Sequence, residues 1–468
     1  MKLNRIMIAA PKSGSGKTML MCALLQALKD RGMKVFSYKC GPDYIDPMFH
    51  QRVIGIPSKN LDTFFSGAEE TRGLLLKDRK DGEFAVLEGV MGLFDGLGGT
   101  REEGSSYHLA SVTKTPIVLV VDAKGMGRSV IPLLAGFLAY DREKLIQGVI
   151  LNRMSKGYYE IIRPLIEEEL SVQVLGYFQE NRELCIESRH LGLKMPQEMQ
   201  HMKEKLQIMS EELEKTADVD KILQIASAAE NIAYTRSGVH KLTKEEETEM
   251  PVIAVAKDDA FCFYYEDNIR LLEEYGTKIE YFSPLYDKAL PEKCAGLLIG
   301  GGYPELYASQ LSRNTEMRKS IRKAIEEGMP SVAECGGFMY LHEELENESG
   351  LFAMAGVIPG RCHNTGKLVR FGYIEIEEKR TSFLEPEGKI RGHEFHYYDS
   401  TDNGSDCQAV KPVSGKRYSC VMAGNNHWWG FPHLYYPSNP QFAKNFVNKA
   451  RAFMTAAQRL PVWERYGD

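Results

Sequence analysis

The sequence predicts an α/β protein in two domains: an N-terminal parallel, doubly wound sheet headed by a phosphate-binding loop, then a second α/β domain with more antiparallel content toward its end. Three observations predict this. Apolar runs rich in β-branched residues alternate with helical patterns through the first half. A polar, charged stretch, TRSGVHKLTKEEETEM, then breaks the alternation without any apolar period. At PVIAVAKD the alternation begins afresh.

The elements follow in order. RIMIAA is the first strand and runs into the loop APKSGSGKT, residues 10–18. KTMLMCALLQALKDRG follows as a helix, with Gly32 placed to cap its C-terminus. KVFSYK, FAVLEGV, PIVLVVDA, GVILNRM and VQVLGYF are further strands, continuous apolar runs of the kind a parallel sheet buries on both faces. After Pro196 the pattern changes to long polar helices as far as Tyr234. The expected boundaries are 1–235 for the first domain, 236–250 for the linker and 251–468 for the second domain. Strands of the latter include KIEYFSP, GLLIGGGYPE, PSVAECGG and YSCVMAGNNHWWG.

Composition narrows the function classes. With 43% hydrophobic and 26% charged residues the chain reads as a soluble enzyme. A net charge of −6 spread over many residues gives no polyanion-binding surface, so nucleic acid is not an expected partner. Nor is a membrane, because no window approaches the roughly 18 continuous apolar residues of a span. MKLNRIMIAA reads as a strand and lacks a signal-peptide cleavage pattern. Nine cysteines without a CxxC pair argue against a disulfide scaffold or a structural zinc site. A cytoplasmic location is expected.

In the loop, Gly16-Lys17-Thr18 completes a Walker-type ending, while Pro11 stands where the pattern's first glycine belongs. Gly14, Ser15 and Gly16 can still turn backbone N–H groups inward, and the following helix aims its N-terminus at phosphate. Lys17 is expected on the β- and γ-phosphates and Thr18 on Mg²⁺. Lys12 either touches nucleotide, as in loops with an additional lysine, or is a solvated loop residue. Acidic residues follow three strands: Asp43 and Asp46 in CGPDYIDPMFH, Glu88 and Asp95 in VLEGVMGLFDG, and Asp122 in VVDAKGMGRS. Mg²⁺ bound to phosphate needs one or two carboxylates. Glu88 comes first by its position at a strand end, and Asp43 or Asp46 second. Asp122 is as well explained as a turn residue.

In VAECGGFMYL, Cys335 follows a strand and precedes Gly336-Gly337, as a strand-turn-helix elbow presents a nucleophile. The helix end is expected to lower its thiol pKa. Downstream, His433 in GFPHLYYPSNP is the expected base, and Gly301 and Gly302 can aim N–H groups at a developing oxyanion. Nucleophile, base and oxyanion hole together indicate acyl transfer.

The blocks APKSGSGKT, KCGPDYIDPMFH, NLDTFF, LEGVMGLFDG, VVDAKGMGRS, SRHLGL, AKDDAFCFYYEDN, FSPLYD, GGGYPELYA, AECGGFMYL, GHEFHYY and HLYYPSNP, in that order over nearly the whole chain, resemble the cobyrinate a,c-diamide synthase family. The resemblance implies an ATP-dependent amide ligase similar to dethiobiotin synthetase, fused to a class I, triad-type glutamine amidotransferase. It implies ATP and Mg²⁺ as cofactors, glutamine and a corrinoid polycarboxylate as substrates, and amidation of the a- and c-acetates in cobalamin biosynthesis. Cys335 matches the glutaminase nucleophile and His433 its activating residue. Lys17, Thr18, Glu88 and Asp95 fall in the nucleotide and metal motifs, and Tyr44, Ile45 and Asp46 in the ligase block. Related glutaminases carry a glutamate two residues after the histidine. Here Tyr435 stands there, so a dyad is the expected arrangement. Lys39, Arg189, His190 and Lys257 are candidates for pairing with substrate carboxylates, or else surface charges. Ni-sirohydrochlorin or hydrogenobyrinate would suit the same chemistry. A nucleotide-switched protein with an inactive second domain is the remoter alternative, and a homodimer is left open.

Overall fold

The computed structural model describes residues 2–77, 83–181, 184, 196–234, 249–380 and 382–459. The block SRHLGL, with Arg189 and His190, lies outside these residues, as does most of the expected linker. The chain divides into two compact units, Met1–Ser237 and Gly238–Asp468.

In the first unit the strands are β1 (Asn4–Ala9), β2 (Val35–Cys40), β3 (Ser58–Leu61), β4 (Phe84–Glu88), β5 (Ile117–Asp122), β6 (Ile146–Asn152) and β7 (Gln173–Phe178). They form one parallel sheet in the order β3-β2-β4-β1-β5-β6-β7. Successive side chains of a strand point to opposite faces. Met7 and Ala9 of β1 accordingly join one buried cluster, while Ile6 and Ile8 join the other. This burial on both faces is why the strands read as unbroken apolar runs. The helix Lys17–Asp30 covers the second face, and the helix Pro196–Thr216 lies on it through the apolar stripe Leu206, Met209 and Leu213. Arg31 ties the two helices by pairing with Glu214. With β1 central, crossovers run to both sides, so loops converge at the carboxyl ends of the strands, where doubly wound sheets bind ligands.

In the second unit the strands are β8 (Val252–Ala256), β9 (Phe261–Phe263), β10 (Lys278–Phe282), β11 (Cys294–Ile299), β12 (Gly301–Gly302), β13 (Ser331–Glu334), β14 (His342–Asn347), β15 (Gly350–Ala353), β16 (Ile358–Asn364), β17 (Arg370–Glu378), β18 (Lys389–His396), β19 (Tyr398–Ser400), β20 (Cys407–Val410), β21 (Arg417–Cys420), β22 (Met422–Gly424), β23 (His427–Gly430) and β24 (His433–Leu434). The main sheet runs β10-β8-β11-β13-β23-β22 and is parallel except for its last pair. Beside it stands the sheet β21-β20-β17-β18-β24, which is antiparallel throughout. The expected shift toward antiparallel pairing is thus present. β24 carries its residues from the end of β23 to the edge of β18, and that crossing positions the site.

Two candidate active sites

In the first unit, loops at the carboxyl ends of β1, β2, β4, β6 and β7 surround a cavity of about 400 Å³. Gly14 (φ 75°) and Gly16 (φ 91°) take left-handed conformations, which lets the loop after β1 turn tightly into the helix. Gly16 is the N-cap, and no side chain caps the helix, so its first amides face the cavity mouth unclaimed by a capping group. A Cβ at Gly16 would lie 2.1 Å from Asn152 Nδ2. Asn152 sits at the end of β6 and donates to the Ser15 carbonyl at 2.9 Å, while its buried Oδ1 accepts no hydrogen bond among the described residues.

Lys17 is buried and donates to the Met91 carbonyl at 2.5 Å. Thr18 donates to Glu88 Oε1 at 2.7 Å, which joins the loop to the end of β4. Lys39 stands between two carboxylates, 2.5 Å from Asp46 and 3.0 Å from Glu88. It is therefore an internal counter-ion of the site and lines its cavity, so the surface-charge alternative is corrected. Burial, then the proximity of Asp46, pushes the Glu88 carboxyl up to about 7. Glu88 Oε2 is buried and accepts no hydrogen bond among the described residues. His50 lies 3.8 Å from that oxygen, and burial holds its imidazole down to about 4, so it is neutral at pH 7.

Other expected residues take different places. Asp43 lines the cavity and caps the turn at Ile45 and Asp46. Tyr44 is buried at the head of the short helix Ile45–Phe49. Asp95 accepts from the Gly92 N–H at 2.9 Å, closing its own loop, and does not line the cavity. Lys12 is exposed and also stands outside the lining. Asp122 pairs with Arg153, which accounts for it as a structural ion pair. Asn152 and Arg153 line the cavity and were not singled out by sequence; their only signal was the strand end at GVILNRM.

In the second unit, Cys335 is the N-cap of the helix Gly336–Leu341, with φ 48° and ψ −103°. A non-glycine residue at such an angle is strained, as in a nucleophile elbow. Its N–H donates to the Gly430 carbonyl at 2.8 Å across the β13–β23 pairing. His433 follows only three residues beyond Gly430, so neighbouring strands deliver nucleophile and imidazole to one end of the sheet. Glu334 secures this arrangement by accepting from the Tyr436 hydroxyl at 3.2 Å. Gly301 abuts the imidazole: a Cβ there would lie 2.3 Å from His433 Cε1. The Gly302 nitrogen lies beside the elbow, 3.1 Å from where a Gly336 Cβ would stand.

The expected lowering of the thiol pKa is corrected by the structure. Burial, then the nearby Glu305 carboxyl, pushes Cys335 up to about 12. The helix behind it has only six residues, too little dipole to offset desolvation. Burial, then His396, holds His433 down to about 3. At rest the thiol and the imidazole are both neutral. Lys257 stacks over Tyr281 at 4.3 Å.

No helix among the described residues is long and apolar enough to cross a membrane. Family models match both units: a CobQ/CobB/MinD/ParA nucleotide binding domain over residues 6–192, and a CobB/CobQ-like glutamine amidotransferase domain over residues 252–432. The chain is 38% identical to a cobyrinate a,c-diamide synthase of Listeria innocua, over 94% of this chain and 97% of that one. It is 36% identical to one of Dehalococcoides mccartyi, over 97% and 99%. For one of Thermoplasma volcanium the identity is 38%, over 96% and 98%.

Proposed function

The chain belongs to the cobyrinate a,c-diamide synthase family, and from that membership we propose that it amidates the a- and c-acetate groups of cobyrinate with ATP and glutamine. The observation that supports this reading is the presence in one chain of a phosphate-binding loop joined to a buried carboxylate and of a strained cysteine elbow paired to Gly430, three residues before His433.

Elementary chemistry sets the division of labour, with the ligase in the first unit and the glutaminase in the second. A carboxylate does not accept ammonia at neutral pH, because its leaving group is too poor. Phosphorylation by ATP makes it an acyl phosphate, and ammonia then displaces phosphate. Lys17 and the loop amides would hold the nucleotide's phosphates and stabilise the transferring group. The site also suits Mg²⁺: the Thr18 hydroxyl, Glu88 and Asp46 supply hard oxygen donors, and the open lone pairs of Glu88 Oε2 favour a cation. Such an ion would neutralise phosphate charge.

Ammonia is mostly ammonium at pH 7, so a nucleophilic supply is generated on the enzyme. The Cys335 sulfur attacks the glutamine carboxamide carbon as His433 takes the thiol proton. His433 returns that proton to the departing nitrogen, which leaves as ammonia. Water then cleaves the thioester to glutamate. Gly302 and Gly301 are proposed to donate N–H groups to the oxyanion. The Walker-type loop, Lys12 included, is proposed to hold nucleotide, and Tyr44, Asp46 and Asp95 to serve the ligase reaction. A cytoplasmic location completes the proposal.

The test is product mass after incubation of cobyrinate with ATP, Mg²⁺ and glutamine. Each amidation replaces a hydroxyl by an amino group and lowers the mass by about one unit. Two steps are expected, matched by glutamate release. Unchanged cobyrinate beside fully amidated Ni-sirohydrochlorin or hydrogenobyrinate would overturn the macrocycle assigned here. No amidation of any of the three would overturn the reaction.

A further inference from the structure

We propose that His393 sets the orientation of His433, acting as the positioning residue of the glutaminase dyad. The proposal rests on the Cys335–His433 reading above and deepens it. Tyr435 occupies the position at which related glutaminases carry a glutamate, and its hydroxyl donates to Asp267 at 3.1 Å.

Strand register carries the argument. β18 and β24 are antiparallel, with His393 directly opposite His433 and Gly392 opposite Leu434. Side chains directly opposite share a face and touch. The two imidazoles do so as a stack, with ring centres 4.9 Å apart and planes at 16°. His393 is itself fixed, because its Nδ1 lies 3.1 Å from the Tyr265 hydroxyl. Tyr265 packs edge-on against Tyr435 at 5.4 Å, so the residue two beyond His433 supports the stack from behind. On its other side His433 meets Gly301, where only a hydrogen leaves room for the ring. One face against His393 and one edge against Gly301 restrict both rotations of the imidazole.

Electrostatics agrees with a positioning role. Burial, then His433, holds His393 well below the ordinary histidine value, so its ring is neutral and does not repel the imidazolium that forms on His433. The titratable groups placed around the stack include Tyr265, Tyr435, His396 and Lys411. A misplacement of about 1 Å in a reacting group can lower a rate on the order of 10²-fold.

The experiment compares full-length His393→Ala and His393→Phe with the unaltered chain, following glutamine hydrolysis and ammonia-driven synthesis. His393→Ala is expected to lower kcat for glutamine about 10²-fold, leaving its KM within about threefold and ammonia-driven synthesis unchanged. His393→Phe keeps a flat ring and is expected to restore kcat to within about tenfold. Unchanged kcat in His393→Ala, or equal loss in both variants, overturns the proposal. If His393→Ala does not fold, Tyr265→Phe decides: a roughly threefold or larger fall in kcat at unchanged KM supports the proposal, and unchanged kcat overturns it. Cys335→Ala runs alongside. Retained glutaminase activity there would instead overturn the dyad itself.

Discussion

At the residue scale, two glycines test the sites without any change to a reactive side chain. Gly301→Ala would place a methyl 2.3 Å from His433 Cε1 and force the imidazole aside. Glutamine hydrolysis is expected to fall about 10²-fold while ammonia-driven synthesis holds, as steady-state assays with each nitrogen source would read. Gly16→Ala meets Asn152 at 2.1 Å from a left-handed φ of 91°, so the loop cannot keep its shape. Synthesis should then drop about 10²-fold or more with either nitrogen source. Both motifs were legible because their chemistry is local: glycines beside Lys17, and glycines beside Cys335. The thiol's environment was not. Its pKa depends on Glu305 and on the depth of burial, which no window of sequence contains. The setting of Lys39 was hidden for the same reason, since its counter-ions come from the short helix after β2 and the end of β4.

At the element scale, the alternation of strand and helix was legible because parallel strands buried on both faces leave continuous apolar runs. The pairing of β18 with β24 was not, because a two-residue strand has no periodicity to read. Arg5 illustrates a further hidden tie. Wholly buried in β1, it donates to the carbonyls of Thr113, Leu3, Lys114 and Glu230, fastening the ends of several elements. Arg5→Leu leaves these acceptors without that donor and is expected to cost about 2–4 kcal/mol in urea unfolding of the full chain. His342 joins β14 to β19 through Ser400 Oγ at 2.7 Å, and burial holds its imidazole down to about 4. The unfolded chain takes up this proton as pH falls below about 6.5, whereas the folded chain waits until about 4. Stability from this group is therefore lost as pH drops through that window, about 2 kcal/mol between pH 7 and 5. His342→Gln lacks the titration, so its destabilisation relative to the unaltered chain should shrink by about that amount at pH 5.

At the scale of the whole molecule, the two compact units each carry the groups proposed for one half-reaction. The first holds loop, carboxylates and Lys39 at the strand ends of one sheet. The second holds elbow, imidazole and glycine amides at the strand ends of another. Order along the chain made this legible, since the motifs fall in two blocks either side of a polar stretch without apolar period. The central claim is that the second unit supplies nitrogen and the first consumes it. Synthesis by Cys335→Ala and Lys17→Ala, each given glutamine or ammonium salt with ATP, tests it most directly. Cys335→Ala is predicted to form amide from ammonia at near the unaltered rate and none from glutamine, and Lys17→Ala to fail with both. Failure of Cys335→Ala with ammonia, or synthesis by Lys17→Ala at full rate, would contradict the account.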